Sequence, residues 1–282
     1  MTFTTIISTK ELANHLDDPD WVIIDSRFKL ANPDQGRIDY KTAHIPGAVY
    51  AHLDDDLSGP IIKGVTGRHP LPSVDKASDF FSRLGIDSSV QVVAYDDLGG
   101  ALAAGRAWWL LRWLGHESVA VLDGGWQQWV NKGFSVRSGN ETKPARRFTP
   151  HPRNELIVTA EEVDTIRQDP RHWLLDARSA DRFRGENETI DPIPGHIPGA
   201  ISTAYAGNLN TDGTFRPAET LSARYKKILG EAPIDHVVCY CGSGVTAAHD
   251  ILAMMVAGLG EGRLYAGSYS EWITDPKRPV EK

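Results

Sequence analysis

A cysteine followed by a run of small residues is the part of this chain best suited to chemistry: Val237-Val238-Cys239-Tyr240-Cys241-Gly242-Ser243-Gly244-Val245-Thr246-Ala247-Ala248. The apolar, β-branched run leading into Cys241 reads as a buried parallel strand, and helix formers resume at Ala247. Cys241 is therefore expected on a strand-to-helix turn. Gly242 and Gly244 permit tight or left-handed backbone, so the amides of Gly242, Ser243, Gly244, Val245 and Thr246 can converge on whatever sits at the Cys241 sulfur. A nest of amides joined to a helix N-terminus favours an anion, here a thiolate reactive near neutral pH. A lone cysteine in an α/β protein is more often a buried strand cap. The Gly-Ser-Gly sequence after this one favours a nucleophile.

The chain holds only two cysteines, Cys239 and Cys241, too few for a disulfide framework or a four-ligand zinc site. Cys239 sits two residues back on the expected strand and reads as a small buried hydrophobe, since a bridge across that spacing would be badly strained. The histidines form no His-x-x-x-His cluster and there is no Cys-x-x-Cys, so no structural metal is expected.

The elements that must position Cys241 come from a duplication. Trp21-Val22-Ile23-Ile24-Asp25-Ser26-Arg27 recurs as Trp173-Leu174-Leu175-Asp176-Ala177-Arg178, and the His-Ile-Pro-Gly-Ala beginning at His44 recurs at His196, 152 residues later. Val92-Val93-Ala94-Tyr95-Asp96 aligns with Val237 to Cys241, and Gly125-Trp126-Gln127-Gln128-Trp129 with Ser268-Tyr269-Ser270-Glu271-Trp272. In the first copy, strands are expected over 22–25, 49–50, 90–95 and 119–122, alternating with helical stretches over 9–15, 77–84, 102–114 and 126–132. That alternation predicts an α/β fold of two domains, each a mainly parallel sheet with helices on both faces. In such sheets the site lies beyond the strand carboxyl ends, where Cys241 falls. Residues 1–138 are expected to form the first domain, 139–155 a linker with three prolines and no apolar periodicity, and 156–282 the second domain. At the position of Cys241 the first copy carries Asp96, which cannot do thiolate chemistry, so that copy is expected to serve structure and substrate lining.

The length of 282 residues accommodates two such domains. A net charge of −7 without a Lys/Arg block argues against a nucleic-acid partner. No apolar run reaches the roughly 18 residues of a membrane span, and the first ten residues lack the pattern of a signal peptide, so no membrane partner and a cytoplasmic location are expected.

Duplication, the Asp-x-Arg turn, His-Ile-Pro-Gly-Ala and a single Cys-Gly-Ser-Gly-Val-Thr loop together resemble the tandem rhodanese-domain sulfurtransferases over nearly the whole chain, and the loop resembles that of the 3-mercaptopyruvate type. The resemblance implies two rhodanese-like domains, the second catalytic, and a persulfide on Cys241 that passes sulfane sulfur from 3-mercaptopyruvate, or alternatively thiosulfate, to a thiol, thioredoxin or cyanide. Thiolate and persulfide are both anions, so the loop amides suit every stage without a prosthetic group.

By the same similarity Arg182, in Arg182-Phe183-Arg184-Gly185, meets the donor's carboxylate, for which its fork is suited. Arg178 is a further arginine near the donor, although its place directly after a strand-end Asp suggests pairing with Asp176. Relatives often carry a second substrate arginine just before His-Ile-Pro-Gly, and residues 189–194 here contain none. The resemblance also implies a relay of Ser243, His69 in Gly67-Arg68-His69-Pro70, and Asp54, reaching the nucleophile from the other domain.

Two other readings are weaker. A cysteine-dependent phosphatase needs an arginine six residues after the nucleophile, where Ala247 stands. A non-catalytic rhodanese-like binding module would have no reason to keep Cys241 inside a complete Gly-Ser-Gly-Val-Thr loop.

Overall fold

The computed structural model describes residues 2–282, and the chain separates into two compact units. The first comprises residues up to Gly59, Pro72–Arg153 and Asn210–Phe215; the second comprises Pro60–Leu71, Asn154–Leu209 and Arg216–Lys282. In the first unit the order is β1 (Ile6–Ile7), α1 (Thr9–Ala13), β2 (Trp21–Asp25), α2 (Gln35–Thr42), β3 (Val49–Tyr50), α3 (Val74–Arg83), β4 (Gln91–Tyr95), α4 (Ala103–Trp113), β5 (Val119–Leu122) and α5 (Gly125–Asn131). Its five strands run parallel in the order β1-β5-β4-β2-β3. Every residue of β2, β4 and β5 is buried, which explains why they are apolar apart from Asp25 at the end of β2 and Gln91 at the start of β4.

The second unit repeats the plan with α6 (Ala160–Ile166), β6 (Trp173–Asp176), α7 (Ala180–Phe183), β7 (Ala200–Ser202), α8 (Ala218–Leu229), β8 (Val237–Tyr240), α9 (Ala247–Val256), β9 (Arg263–Leu264) and α10 (Ser268–Trp272). Its parallel sheet has the order β7-β6-β8-β9. A single parallel bridge from Ile157 to Leu264 stands where the first unit has β1. The elements missing from the sequence reading of the first copy are β1, only two residues long, and α2, whose residues are polar except for a few. Only Gly36 and Tyr40 in it are buried, too few to write a helical apolar stripe.

The same device closes the central strands in both units. Asp25, at the end of β2, accepts from the Arg27 amide (3.0 Å), the Arg27 guanidinium (Nη2 at 2.6 Å) and the Tyr95 hydroxyl (2.6 Å). Asp176, at the end of β6, accepts from the Arg178 amide (3.0 Å) and Nη2 (2.7 Å). The two arginines also donate to the carbonyls of Ala43 and Gly195, and they lie over the rings of Trp126 and Tyr269. Matching positions thus do matching structural work.

The sequence reading gave 1–138 to one domain and 139–155 to a linker; the compact units are drawn differently. Residues 60–71 pack in the second unit because Gly67 lies too close to the Gly267 carbonyl for any side chain, and the Arg68 amide donates to Ser270 Oγ (3.0 Å). Residues 210–215 return to the first, where the Phe215 amide donates to Asp123 Oδ1 (2.7 Å) and Gln128 to the Asp212 carbonyl (3.1 Å). The stretch read as linker is fastened to the first unit: Phe148 is buried, and the amides of His151 and Arg153 donate to the carbonyls of Leu114 and Trp113 (2.8 Å each). Among the described residues no helix is long and apolar enough to cross a membrane.

Because Arg178 is the main partner of a fully buried carboxylate, Arg178→Met should leave Asp176 uncompensated and cost about 3–5 kcal/mol of unfolding free energy. Urea denaturation measures this; an unchanged midpoint would show that the pair contributes nothing to stability.

Candidate active site

Strand β8 lies between β6 and β9, and Cys241 is the first residue past its carboxyl end. The turn that enters α10 holds the backbone there. The carbonyls of Cys241 and Gly242 accept from the amides of Tyr269 (3.0 Å) and Ser270 (2.9 Å), while the Cys241 amide donates to Ser268 Oγ (3.1 Å). Ser268 has φ of 55°, a left-handed conformation that only a surrounding network sustains in a non-glycine residue. Its hydroxyl also donates to the Tyr265 carbonyl (2.9 Å), so it bridges two backbone segments. Gly244 has φ of 75°, and a β-carbon there would run into the Ala266 carbonyl. Of the other loop residues named from the sequence, Val245 is buried and its carbonyl accepts from the Ala248 amide, and Thr246 immediately precedes α9.

The first unit shows what this kind of turn does with an anion. The carboxylate of Asp96 accepts from the amides of Leu98 (2.9 Å), Gly100 (2.8 Å), Leu102 (3.0 Å) and Ala104 (3.2 Å). Burial pushes its pKa up, and these donors limit the rise to about 6. An internal carboxylate thus fills the nest of the first copy. In the second copy the residue at that point is Cys241, 3% exposed, followed by the N-terminus of the ten-residue α9. Cys239 differs in kind: fully buried on β8, its thiol is pushed well up, chiefly by burial and further by Asp250, and so stays protonated.

His69 and Ser243, both buried, are brought together with Nδ1 and Oγ 2.7 Å apart. His69 belongs to the segment 60–71 and hence to the same unit as the nucleophile, not to the other one as the sequence suggested. Asp54 lies in the first unit, half-buried in the turn that follows β3.

Arg182 is held from one side: its Nε donates to Glu188 (2.9 Å) and its Nη2 to Asp191 Oδ2 (2.9 Å). Glu188 is fixed by the amides of Ile190 and Asp191 (2.9 Å each); burial would raise its pKa, and the Arg182 guanidinium with those amides lowers it overall. Arg178, expected near the donor, is instead enclosed by Asp176, the Gly195 carbonyl and the Tyr269 ring with its side chain 1% exposed, so no face is left for a ligand. Arg184 is half exposed and paired with Glu186.

Sequence reasoning did not identify Asp191, Glu188 or Ser268, and it named Arg68 only beside Arg184, as a cation that would reach the loop were thiosulfate the preferred donor. Arg68 donates through Nη1 to Asp191 Oδ1, and its Nη2 lies 2.7 Å from where a β-carbon of Gly242 would be. A loop whose own residues are neutral therefore has a cation beside it. Ser268 had a faint signal, since the repeat aligns it with Gly125, whose φ is 57°. Among the described residues no group of three or more His, Cys, Asp or Glu is arranged to hold a metal ion.

The rhodanese-like domain profile matches residues 8–132 and again 159–275. The chain belongs to the rhodanese family. Over 99% of its length this rhodanese is 46% identical to 99% of a Pseudomonas aeruginosa protein named "Probable 3-mercaptopyruvate sulfurtransferase". It is 32% identical, over 98% of the chain and 86% of the relative, to Arabidopsis thaliana thiosulfate/3-mercaptopyruvate sulfurtransferase 2. Among solved structures, the 3-mercaptopyruvate sulfurtransferase from Leishmania major superposes with a TM-score of 0.84 at 33% identity, covering 95% of this chain and 74% of that one.

The strain at Ser268 accompanies a hydrogen bond to the nucleophile's own amide. Ser268→Gly should relieve about 1 kcal/mol of left-handed strain while losing a bond of similar worth, leaving stability nearly unchanged. The rate of sulfur loading, measured by stopped-flow, should nevertheless fall roughly tenfold or more because Cys241 is less well held. Equal rates in both proteins would make Ser268 a purely structural residue.

Proposed function

We propose that this sulfurtransferase takes sulfane sulfur from 3-mercaptopyruvate onto Cys241 and passes it, from the persulfide, to a thiol such as that of thioredoxin, or to cyanide. The observation that carries the reading is the placement of Cys241 at the end of β8 before α9, in the position where the first copy gathers four amides around a carboxylate. In the loading step the Cys241 thiolate attacks the donor sulfur, an S–S bond forms and the donor C–S bond breaks. The electron pair leaves on the enolate of pyruvate. The proton on the donor thiol goes to that enolate carbon, so thiolate and mercaptopyruvate become persulfide anion and pyruvate. The buried Ser243–His69 pair is suited to carry that proton, with Asp54 assigned as its third member. Arg182 takes the donor carboxylate, and the loop of Gly242, Gly244, Val245 and Thr246 surrounds the sulfur. The first copy, with Asp96 filling its nest, has no nucleophile. The reading keeps the protein in the cytoplasm, where acceptor thiols are held reduced.

One observation favours a second donor. Thiosulfate is a compact dianion that must approach a thiolate, which requires cations at the loop, and Arg68 supplies one beside Gly242. Mercaptopyruvate carries its charge away from the reacting sulfur, where an arginine can hold it without crowding the nucleophile. A side-by-side assay should give the higher kcat/KM with mercaptopyruvate; a ratio favouring thiosulfate reverses the assignment of donor.

After exposure to donor, intact-mass and peptide mapping should place one added sulfur on Cys241. Cys241→Ser should abolish turnover, whereas Cys239→Ser should keep most of it, and a persulfide found on Cys239 would overturn the choice of nucleophile. Ser243→Ala, His69→Gln and Asp54→Asn should each slow loading by about 10²–10⁴-fold if they move the proton.

A further inference from the structure

With Arg178 enclosed by Asp176 and the Tyr269 ring, Arg182 is the one arginine left of those the sequence set near the donor carboxylate, yet the structure places a second guanidinium at the same spot. We propose that Arg68 is the other half of a two-arginine carboxylate clamp, with Asp191 as the spacer that sets the two arginines side by side; this rests on the donor being mercaptopyruvate.

The two oxygens of Asp191 are divided between the arginines. Oδ1 accepts from Nη1 of Arg68 and Oδ2 from Nη2 of Arg182. The Asp191 side chain is fully buried, whereas those of Arg68 and Arg182 are 28% and 17% exposed. The acid therefore lies behind and the guanidiniums in front. Both point at one place: a β-carbon on Gly242 would lie 2.7 Å from Nη2 of Arg68 and 3.6 Å from Nη2 of Arg182. Gly242 directly follows the candidate nucleophile, and a side chain there would push the Arg68 guanidinium out of the position it holds. The backbone that carries Arg68 is held in place. Its amide is tied to Ser270 Oγ (3.0 Å), and the next residue, His69, is tied to Ser243 (2.7 Å).

Its Nε, buried, has no hydrogen-bond partner, so the protein does not satisfy all of this guanidinium's donors. Along the network the charges alternate, with Glu188 and Asp191 facing Arg182 and Asp191 facing Arg68. An added carboxylate is then attracted at short range by the two exposed forks, while the acids behind temper the field felt by a dianion. Arg68 on this account is a specificity-determining residue, reached through the chain segment that also delivers His69.

A plain structural staple, tying residues 60–71 to Asp191, would produce the same ion pair, so the test uses two donors. One is 3-mercaptopyruvate; the other is 1-mercaptopropan-2-one, which keeps the reacting thiol and ketone and has a methyl group in place of the carboxylate. With Arg68→Met, kcat/KM for mercaptopyruvate should fall roughly ten- to a hundredfold, mostly through KM, while that for the uncharged donor changes less than about threefold. Arg68→Lys should restore part of the loss, because charge returns without the fork. An equal fall for both donors would make Arg68 a staple or a support for His69, and no change with either would remove it from the site; both results overturn the proposal. Wild-type protein that fails to turn over mercaptopyruvate at all would instead refute the donor assignment on which the clamp rests.

Discussion

An anion at the end of a buried strand must be met by donors, and in this fold the donors are backbone amides at the start of a helix. The first unit displays the constraint in full, since the Asp96 carboxylate draws four N–H groups from the turn into α4. The second unit has the corresponding turn between β8 and α9 and places Cys241 there. The Asp96 carboxylate makes the turn a closed structural knot, whereas in the proposed reaction the sulfur of Cys241 would carry thiolate and persulfide in turn. The two copies thus differ at this point in one side chain, Asp96 in one and Cys241 in the other.

Rigidity around that turn comes from two directions. Below it, the Asp-x-Arg device at the end of β6 joins β6, the Gly195 carbonyl and the Tyr269 ring, and leaves Arg178 no freedom to meet a ligand. Above it, the turn into α10 grips the carbonyls of Cys241 and Gly242 and, through Ser268, the Cys241 amide. A non-glycine residue kept at φ of 55° in this position, where the other copy has Gly125 at 57°, is tolerated strain at a functional position. Residues 60–71 complete the enclosure by bringing Arg68 and His69 to the loop.

Much of this was legible in the sequence because it is written in short, contiguous signals. The alternation of apolar strands and helical stretches, the repeated His-Ile-Pro-Gly-Ala, and the glycines around Cys241 give the parallel sheets, the duplication and the nucleophile's turn. Less legible was anything that depends on a chain segment crossing from one sequence neighbourhood to another. Residues 139–155 look like a linker by composition, yet Phe148 and the backbone pairs to Leu114 and Trp113 fasten the stretch to the first unit. Arg178 and Arg182 stand four residues apart and look alike in type, but burial separates them: one side chain is 1% exposed and the other 17%.

By itself, then, the sequence determined the α/β fold and the two copies, and it singled out Cys241 as the candidate nucleophile, since each rests on local periodicity, glycine conformational freedom or the identity of one side chain. Only the tertiary structure decided which arginines face the loop. Arg68 is 123 residues from Asp191 along the chain, and nothing in the spacing of either predicts that one buried carboxylate holds Arg68 and Arg182 together beside Gly242. Charges recruited across such separations are chosen by packing, because an ion pair forms where the fold excludes water and brings the partners within bonding distance, whatever their order in the chain.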